Sequence, residues 1–340
     1  MHNNDSMTGL CSVFTFMVIF LKHIFGNFNV VTFENFILQY NKSYGSREEY
    51  QRRLLIFSEN MEKARQLQKE ELGSARYGVT KFSDLSDEEI CRYTINTSGP
   101  HEPGLMNNYT LDDKPFKSCD WRKKGLISEV KDQGEICGSC WAFAVVSNIE
   151  AQFAILGNLK NLSVQQVIDC SSCGNGCAGG FTWDGFITVL EQGGLAKEDS
   201  YKYNGNENKC KKNVTVEASI AGFEMIPRNE NVMYSHLTTK GTLTVIVNKQ
   251  PLIGYLGGVI NLSHECCDKN HNDHAVLIVG CSKDETGPYW ILKNSWGSNW
   301  GENGYFRMHM GENVCGITKY PITALLNREK KGVRCPTDSS

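Results

Sequence analysis

The number and spacing of the cysteines constrain this chain more than any other feature. Fourteen of its 340 residues are cysteine, and all except Cys11 and Cys91 lie after residue 115. Such usage is rare in the reducing cytosol and is typical of chains whose thiols pair in an oxidising compartment. The length allows two lobes, or one domain with an appendage. The sequence therefore predicts a disulfide-bonded globular protein.

Charge and hydropathy argue against two kinds of partner. The chain carries 35 basic and 38 acidic residues, a formal net charge of −3, so we expect no nucleic-acid partner. The apolar run at residues 10–21 is shorter than a membrane helix, which needs roughly 20 residues. We interpret residues 1–26 as a signal peptide and expect no transmembrane span in the mature protein. An uncleaved signal anchor is the alternative, because the leading segment lacks Lys and Arg.

Glycosylation acceptors agree with entry into the secretory pathway. The Asn-x-Ser/Thr motif occurs at Asn41, Asn96, Asn108, Asn161, Asn213 and Asn261.

The region after the signal peptide is helical in character from residue 32 to residue 70. It is rich in helix-forming residues, and a set spaced by three or four positions shares one helix face. The set is Glu49, Arg53, Phe57, Asn60, Ala64 and Gln68. An ordinary amphipathic helix with ion pairs is the simplest interpretation. The next segment, YGVTKFSDLSDEE, alternates like a short strand and ends in a capping-type cluster.

The rest of the chain divides into three parts. Residues 93–114 are polar and predict a linker. Helical patterns dominate residues 139–192, and strand-like runs follow in GTLTVIVN, HAVLIVGC, YWILKNSW and GYFRMHM. A helix-rich part followed by a strand-rich part predicts two lobes with a groove between them.

The segment GEICGSCWAF, with Cys137 and Cys140, allows three interpretations. A thiol–disulfide exchanger carries such a pair after a strand, and no strong strand run precedes this one. A zinc site could add Cys170 and Cys173, but the interval of 29 residues after Cys140 is long for such a site. A nucleophilic Cys140 predicts that a helix begins at this cysteine, because a helix N-terminus stabilises a thiolate. The apolar run SCWAFAVVSNIEAQFAIL fits that third interpretation.

A nucleophilic cysteine also needs a distant histidine and a group that orients it. His274 and Asn294 lie 134 and 154 residues after Cys140, close to the interval typical of papain-type proteases. The chain resembles the papain-like cysteine proteases from end to end. The resemblance is carried by CGSCWAF, LSVQQVIDC, GCAGGFTWDGF, DHAVLIVG and YWILKNSWGSNWGENGYFRM. Two segments near the N-terminus resemble the propeptides of one cathepsin branch. They are the helix-face series and GVTKFSD, which contains Gly78, Thr80, Phe82 and Asp84.

The resemblance implies an α+β, papain-like two-lobe fold. It has a helical left lobe, a β-barrel-like right lobe and a helical inhibitory propeptide. The implied boundaries are a signal peptide at 1–26, an I29-type propeptide at 27–114, a peptidase domain at 115–327 and a tail at 328–340. Low pH is expected to release the propeptide as Glu49 and Asp84 lose their charges.

The resemblance also implies the activity, a cysteine-type endopeptidase made as a zymogen, with no cofactor and no metal. The implied partners are polypeptide substrates, the chain's own propeptide as an intramolecular inhibitor and cystatin-type inhibitors. The implied location is the lysosome, the endoplasmic reticulum or the extracellular space.

The roles carried over from the family fall on five residues. Cys140 is the nucleophile, and His274 is its imidazolium partner and the proton donor to the leaving amine. Asn294 orients the imidazole, and Trp296 shields that contact from water. The oxyanion hole is the backbone N–H of Cys140 together with the side-chain amide of Gln133. A second histidine, His271 in DKNHND, is predicted to lie in a loop outside the site.

One feature departs from the family pattern. Gln133 lies seven residues before Cys140, one more than usual, so an extra residue lies around Glu135 or Ile136. A bulge could absorb it and leave the amide in place. Displacement of the amide would instead favour a weakly active or inactive binding protein on the same fold.

The resemblance places the substrate backbone against Gly179 and Gly180, where missing side chains permit close approach. The pocket for the second residue before the scissile bond is lined by Phe181, Thr182, Ile246 and Asn272, which implies an apolar preference. The implied disulfides are Cys137–Cys177, Cys170–Cys210 and Cys267–Cys315, with Cys266 as a rival of Cys267. As a hypothesis, Cys119 pairs with Cys335 and ties the tail to the body, and Cys281 is a packed thiol.

Overall fold

The computed structural model describes residues 30–91, 116–327 and 332–337. The predicted signal peptide, the predicted linker 93–114 and part of the predicted tail lie outside these ranges. The helices are residues 30–39 (α1), Arg47–Glu70 (α2), Asp87–Cys91 (α3), Cys140–Ile155 (α4), Val164–Cys170 (α5), Thr182–Glu191 (α6) and Glu230–Thr239 (α7).

The strands are concentrated in the second half of the chain. They are Arg76–Tyr77 (β1), Cys119–Asp120 (β2), Gly222–Met225 (β3), Leu243–Val247 (β4), Tyr255–Gly257 (β5), Val259–Ile260 (β6), His274–Asp284 (β7), Gly287–Lys293 (β8), Tyr305–His309 (β9) and Ile322–Leu325 (β10). The α+β, papain-like fold with a helical propeptide region is confirmed.

The N-terminal helices form a small unit with its own aromatic core. Phe33 and Phe36 of α1 are buried against Phe57 of α2, with ring centroids 5.2 Å apart in each pair. The helical region predicted for 32–70 is two helices, because Asn41 adopts a left-handed conformation (φ 50°) that ends the first. Ser46 then caps α2, and its hydroxyl accepts a hydrogen bond from the Glu49 N–H.

The predicted face of α2 binds the segment that follows the helix. Arg53 donates to Glu49 (2.7 Å), to Glu89 (2.7 Å) and to the carbonyl oxygen of Asp84 (2.8 Å). The side chain of Asn60 is buried and donates to the backbone carbonyls of residues 83 and 85. The face is therefore a clamp for residues 83–89 and not only an ion-paired amphipathic surface.

The strand predicted in YGVTKFSDLSDEE is limited to its first residue. Tyr77 belongs to β1, which pairs antiparallel with β5, whereas residues 81–84 form a turn. The capping cluster is reciprocal, since the Glu89 N–H donates to the Ser86 hydroxyl and the Ser86 N–H donates to the Glu89 carboxylate. The alternation of apolar and polar residues here reflects a turn that buries Phe82 and Leu85 against the larger domain.

Eight strands form the sheet of the second lobe. Its order is β3-β10-β4-β7-β8-β9-β6, with β2 added to β7, and only the β6–β9 pair is parallel. The strand-like runs predicted from the sequence are β4, β7, β8 and β9. The other lobe is built on α4, which is buried on almost every side and packs against α5, α6 and β7.

Four disulfides connect these elements. Three of them are the pairs implied by the resemblance, Cys137–Cys177, Cys170–Cys210 and Cys267–Cys315. The fourth joins Cys119 to Cys335, as hypothesised, and the tail also bonds the body through the Cys335 N–H and the Thr238 carbonyl. Cys281 is a buried thiol and Cys266 is unpaired with another cysteine.

We expect Cys335→Ser to destabilise the peptidase domain by about 2–4 kcal/mol, because Cys119–Cys335 closes the longest of the four loops that the described disulfides form. Urea unfolding in a Cys140→Ala background, which prevents self-digestion, measures this change. Cys173→Ser is the matched control, since Cys173 is exposed and free. An unchanged unfolding midpoint, together with alkylation of both thiols in the native chain, would contradict the disulfide.

Candidate active site

The sulfur of Cys140 lies at the seam between the two lobes. Cys140 is the first residue of α4 and is completely buried. The backbone N–H groups of Ala275 and Trp141 face its sulfur and lower the pKa, but burial outweighs them and raises the pKa of this thiol to about 11. The contact with Ala275, in β7, places Cys140 beside His274.

His274 is the first residue of β7, opposite Val247 of β4. Its ring is buried, and its Nε2 lies 2.8 Å from Oδ1 of Asn294. Among the residues that the structure describes, none makes a hydrogen bond with its Nδ1. Burial lowers the pKa of His274 to about 4, although the Asn294 hydrogen bond and the nearby Asp273 raise it.

Asn294 follows the last residue of β8, so the β7–β8 pairing sets its distance from His274. Its Oδ1 also accepts the Ser295 N–H at 2.8 Å, which fixes the side chain. The ring of Trp296 lies 4.5 Å from the imidazole and is buried, so it covers the His274–Asn294 contact. His271, the neighbouring histidine, lies in a loop, is largely exposed and approaches Asp273.

The extra residue before Cys140 is accommodated at the surface. Residues 134–136 form a turn, and the side chain of Ile136 is 76% exposed. Gln133 remains buried, and its Oε1 accepts the Ser295 hydroxyl at 2.7 Å. Its Nε2 donates to the Cys137 carbonyl at 3.3 Å, which leaves a second N–H hydrogen on the same nitrogen.

The residues predicted to contact substrate have several environments. Gly179 has a positive φ (108°), and a Cβ at Gly180 would lie 2.9 Å from the ring of Trp141. Gly180 is therefore required for packing as well as for an open cleft. Phe181 stacks on Trp183 with ring centroids 4.0 Å apart.

The remaining pocket residues are more deeply buried. Thr182 begins α6, Ile246 lies in β4, and neither is exposed. Asn272 does not present its amide nitrogen to a pocket, because this atom donates to the carbonyls of Ile246, Cys315 and Gly316. These bonds fix the backbone around Ile246, whereas Oδ1 of Asn272 is buried without a hydrogen-bond partner among the described residues.

A buried ionic network next to Asn294 connects the two lobes. Glu150 of α4 bonds Lys131 (2.9 Å) and the Ser128 hydroxyl, and Lys293 of β8 donates to the carbonyl of Ser128 at 2.8 Å. The side chain of Glu150 is fully buried and Lys293 is 3% exposed. Burial lowers the pKa of Lys293 to about 8. Sequence reasoning missed this network because its members are far apart in the chain.

The redox and zinc interpretations of the CxxC pair do not fit the structure. Cys137 and Cys170 are consumed by disulfides to other partners. Within residues 30–91, 116–327 and 332–337, no cluster of three or more His, Cys, Asp or Glu side chains could bind a metal ion. No helix in the described ranges has the length and apolar character that a membrane crossing requires.

Comparison with known proteins agrees with this geometry. A profile described as papain family cysteine protease matches residues 116–325, more than half of the chain. The chain belongs to the papain family of cysteine proteases. A second profile, the cathepsin propeptide inhibitor domain (I29), matches residues 33–90. This papain-family chain is therefore a cysteine endopeptidase that carries its own propeptide inhibitor domain.

Individual relatives cover most of the chain. Cathepsin W of Felis catus is 43% identical in an alignment of 333 positions that covers 89% of this chain and 89% of that protein. Cathepsin F of Mus musculus is 38% identical, over 87% of this chain and 64% of that protein. The digestive procathepsin L2 proteinase from Tenebrio molitor larval midgut superposes with a TM-score of 0.79 at 32% identity, over 88% of this chain and 100% of that chain. The cathepsin branch indicated by the propeptide motifs is therefore that of cathepsins W and F.

The propeptide region of the protease packs on the site. The ring of Phe82 contacts the ring of Trp296 edge-on at 4.8 Å, and Lys81 pairs with Asp132 at 2.9 Å. Thr80 donates to the carbonyl of Ile253, and the N–H of Gly78 donates to that of residue 254. The GVTKFSD segment thus covers Trp296, which itself covers the His274–Asn294 contact.

We expect Glu150→Gln to destabilise the protease by about 3–5 kcal/mol, because Lys131 loses its ion-pair partner and the buried Lys293 loses a nearby negative charge while the shape is kept. Thermal unfolding measures the loss, and adding Lys293→Met should recover part of it. Glu285→Gln is the control, since Glu285 is exposed in the turn between β7 and β8 and its loss should stay within about 0.5 kcal/mol. A Glu150→Gln protein as stable as the control would show that the network contributes little.

Proposed function

We propose that this protease hydrolyses peptide bonds with Cys140 as nucleophile, His274 as acid and base, and Asn294 as the residue that orients the imidazole. The observation that carries the proposal is the buried Nε2–Oδ1 contact of His274 and Asn294 beside the N-terminus of α4. Because Asn294 Oδ1 accepts from Nε2, the neutral ring has its free lone pair on Nδ1. That atom is the proton acceptor for the thiol.

The chemical steps follow from these positions. The thiol proton passes to Nδ1 of His274, and the sulfur of Cys140 bonds to the carbonyl carbon. The C–N bond then breaks as the imidazolium donates its proton to the leaving amine. Water attacks the resulting thioester, His274 accepts a proton from it, and the C–S bond breaks to release the acid and regenerate the thiol.

Two donors are proposed to stabilise the oxyanion of each tetrahedral intermediate. They are the backbone N–H of Cys140 at the start of α4 and the second N–H of the Gln133 amide. The Ser295 hydroxyl supports this role, because its bond to Oε1 fixes which way the amide points. The outward turn at Ile136 weakens the alternative of a poorly active binding protein, since that alternative depends on displacement of Gln133.

In the zymogen, Cys140 and His274 are proposed to be uncharged, as a thiol and a neutral imidazole. Burial raises the pKa of Cys140 to about 11 and lowers that of His274 to about 4, so near neutral pH both groups are neutral. Removal of the propeptide admits water, which lowers the cost of charging both groups and favours the thiolate–imidazolium pair. Inhibition would then have an electrostatic part in addition to a steric part.

Substrate selection is proposed to favour an apolar side chain at the second position before the scissile bond. Phe181 and Ile246 supply apolar surface, and Tyr320 approaches Phe181 edge-on at 6.0 Å. Cleavage of a peptide library would test this preference. The secretory route, the lysosomal or endoplasmic location, the glycosylated sites and inhibition by cystatins remain proposals that rest on the sequence and on the cathepsin relatives.

An epoxide or vinyl-sulfone probe tests the catalytic assignment. We expect the acid-processed wild type to be labelled at Cys140, and the Cys140→Ala chain to show neither labelling nor hydrolysis. Asn294→Ala should retain the label but react more slowly, because its imidazole is no longer oriented. Processed wild-type protein that remains unlabelled at every pH, although it is folded, would refute the assignment.

The expected loss of charge on Glu49 at mildly acidic pH is wrong. Hydrogen bonds from Arg52 and Arg53 lower the pKa of Glu49 from 4.5 to about 2, and Arg53 also lowers that of Glu89. A lowered carboxylate pKa contributes stability above the unfolded pKa, and that stability is lost as the pH falls through the folded value. The clamp on α2 therefore remains charged at pH about 4–5.

We accordingly expect the propeptide region of the Cys140→Ala chain to remain folded at pH about 4.5 and to unfold only at lower pH. Circular dichroism with limited proteolysis by an added acid protease follows this transition. Glu49→Gln should move the transition to higher pH, whereas Glu59→Gln, at an exposed position of the same helix, should leave it in place. If the propeptide region unfolded at pH about 5 both in the Cys140→Ala chain and in its Glu49→Gln variant, the role of the clamp would be contradicted.

A further inference from the structure

The loop that contains the extra residue is tied at both of its ends by one hydroxyl group. Tyr203 places its OH 2.6 Å from the carbonyl oxygen of Gln133 and 3.0 Å from the Oγ of Ser139. Gln133 is the first residue of the loop, and Ser139 precedes the helix that Cys140 begins. Both proposed oxyanion donors are therefore attached to residues that contact Tyr203.

Tyr203 is itself well fixed. Its N–H donates to the Glu198 carboxylate at 2.8 Å, and its ring packs edge-on against Phe143 of α4 at 4.9 Å. Burial raises the pKa of Tyr203 to about 12, so its hydroxyl keeps its proton at acidic and neutral pH. Since the carbonyl of Gln133 can only accept, the Tyr203 O–H is the donor in that bond.

Ser139 shows what this contact changes. It occupies the N-cap position of α4, where a serine oxygen ordinarily accepts a hydrogen bond from an N–H of the first turn. Here the Ser139 side chain makes no capping bond, and its single O–H is shared between the Tyr203 oxygen and the carbonyl of Cys137, 3.3 Å away. The residue before Cys140 is therefore held by Tyr203 and not by the first turn of α4.

We propose that Tyr203 is a positioning residue for the oxyanion hole, which fixes the lengthened loop by bonding Gln133 at one end and Ser139, the residue before Cys140, at the other. The inference rests on the proposed function, because it assigns Tyr203 a role through Gln133 and the Cys140 N–H. The extra residue makes such a tie more important, since a longer loop has more conformations to lose. Ser295 bonds the side chain and the N–H of Gln133, and Tyr203 bonds its carbonyl oxygen, from which the loop continues.

Tyr203→Phe removes the hydroxyl and keeps the ring against Phe143. In the full chain after acid processing, we expect kcat/KM for a peptide amide to fall about tenfold, mainly through kcat. Alkylation of Cys140 by iodoacetamide should change less than about twofold, because displacement of iodide creates no oxyanion. The ratio of the two rates is the readout that a general loss of stability would not move.

Two further variants sharpen the comparison. Tyr201→Phe is the matched control, because Tyr201 lies on the same segment as Tyr203. Its hydroxyl bonds Asp169 and the Lys211 N–H and does not contact the loop between Gln133 and Ser139. This control should leave the ratio unchanged. In a Gln133→Ala background, Tyr203→Phe should cost less than it does alone, because part of its effect passes through the missing amide.

Three outcomes overturn the inference. They are an unchanged kcat/KM in Tyr203→Phe, an equal fall in hydrolysis and alkylation, and full additivity with Gln133→Ala. A processed wild type that neither hydrolyses peptides nor reacts with iodoacetamide would instead refute the proposed function, so the two failures are distinguishable.

Discussion

The contact between the N-terminus of α4 and the start of β7 is the constraint on which the rest of the structure depends. It buries the sulfur of Cys140 against the backbone of Ala275 and so brings a residue of the helical lobe next to His274 of the sheet lobe. Neither lobe contains a complete site. The Glu150–Lys293 network lies behind this seam and crosses it, so a loss of lobe packing would also separate the reacting groups.

The propeptide region packs on the outer side of this contact between the lobes. The turn with Phe82 packs on Trp296, and β1 pairs with β5 in a separate two-stranded sheet, so backbone pairing and aromatic packing act together. The Arg53 clamp keeps that turn in shape from the other side, through bonds to residues 84 and 89. Because Arg52 and Arg53 lower the pKa of Glu49, protonation of this carboxylate in mild acid is not expected to open the clamp by itself.

Local patterns predicted the elements whose own residues determine them. The apolar run after Cys140 became α4, and the runs around His274 and Trp290 became β7 and β8, because burial on both faces requires continuous apolar sequence. The segment at residues 78–84 misled the prediction, since alternating apolar and polar residues fit a turn that buries Phe82 as well as a strand. The break at residues 40–46 depends on one left-handed residue, which an amphipathic pattern does not reveal.

The site was predictable only as far as the family resemblance reached. The predicted roles of Cys140, His274 and Asn294 came from that resemblance. The bonds that Ser295 and Tyr203 make to Gln133 were not predicted, because they join residues distant in sequence.

The extra residue before Cys140 shows why such contacts matter. In the sequence, the extra residue places Gln133 one position farther from Cys140 than in the family pattern. In three dimensions, bonds at Gln133 and Ser139 fix the two ends of the loop, so the added length goes outward at Ile136. A loop fixed at both ends can gain a residue without moving its ends, because the entropy cost of a longer loop grows only slowly with length. The geometry of an oxyanion hole is therefore set by what ties its loop and not by the number of residues within it.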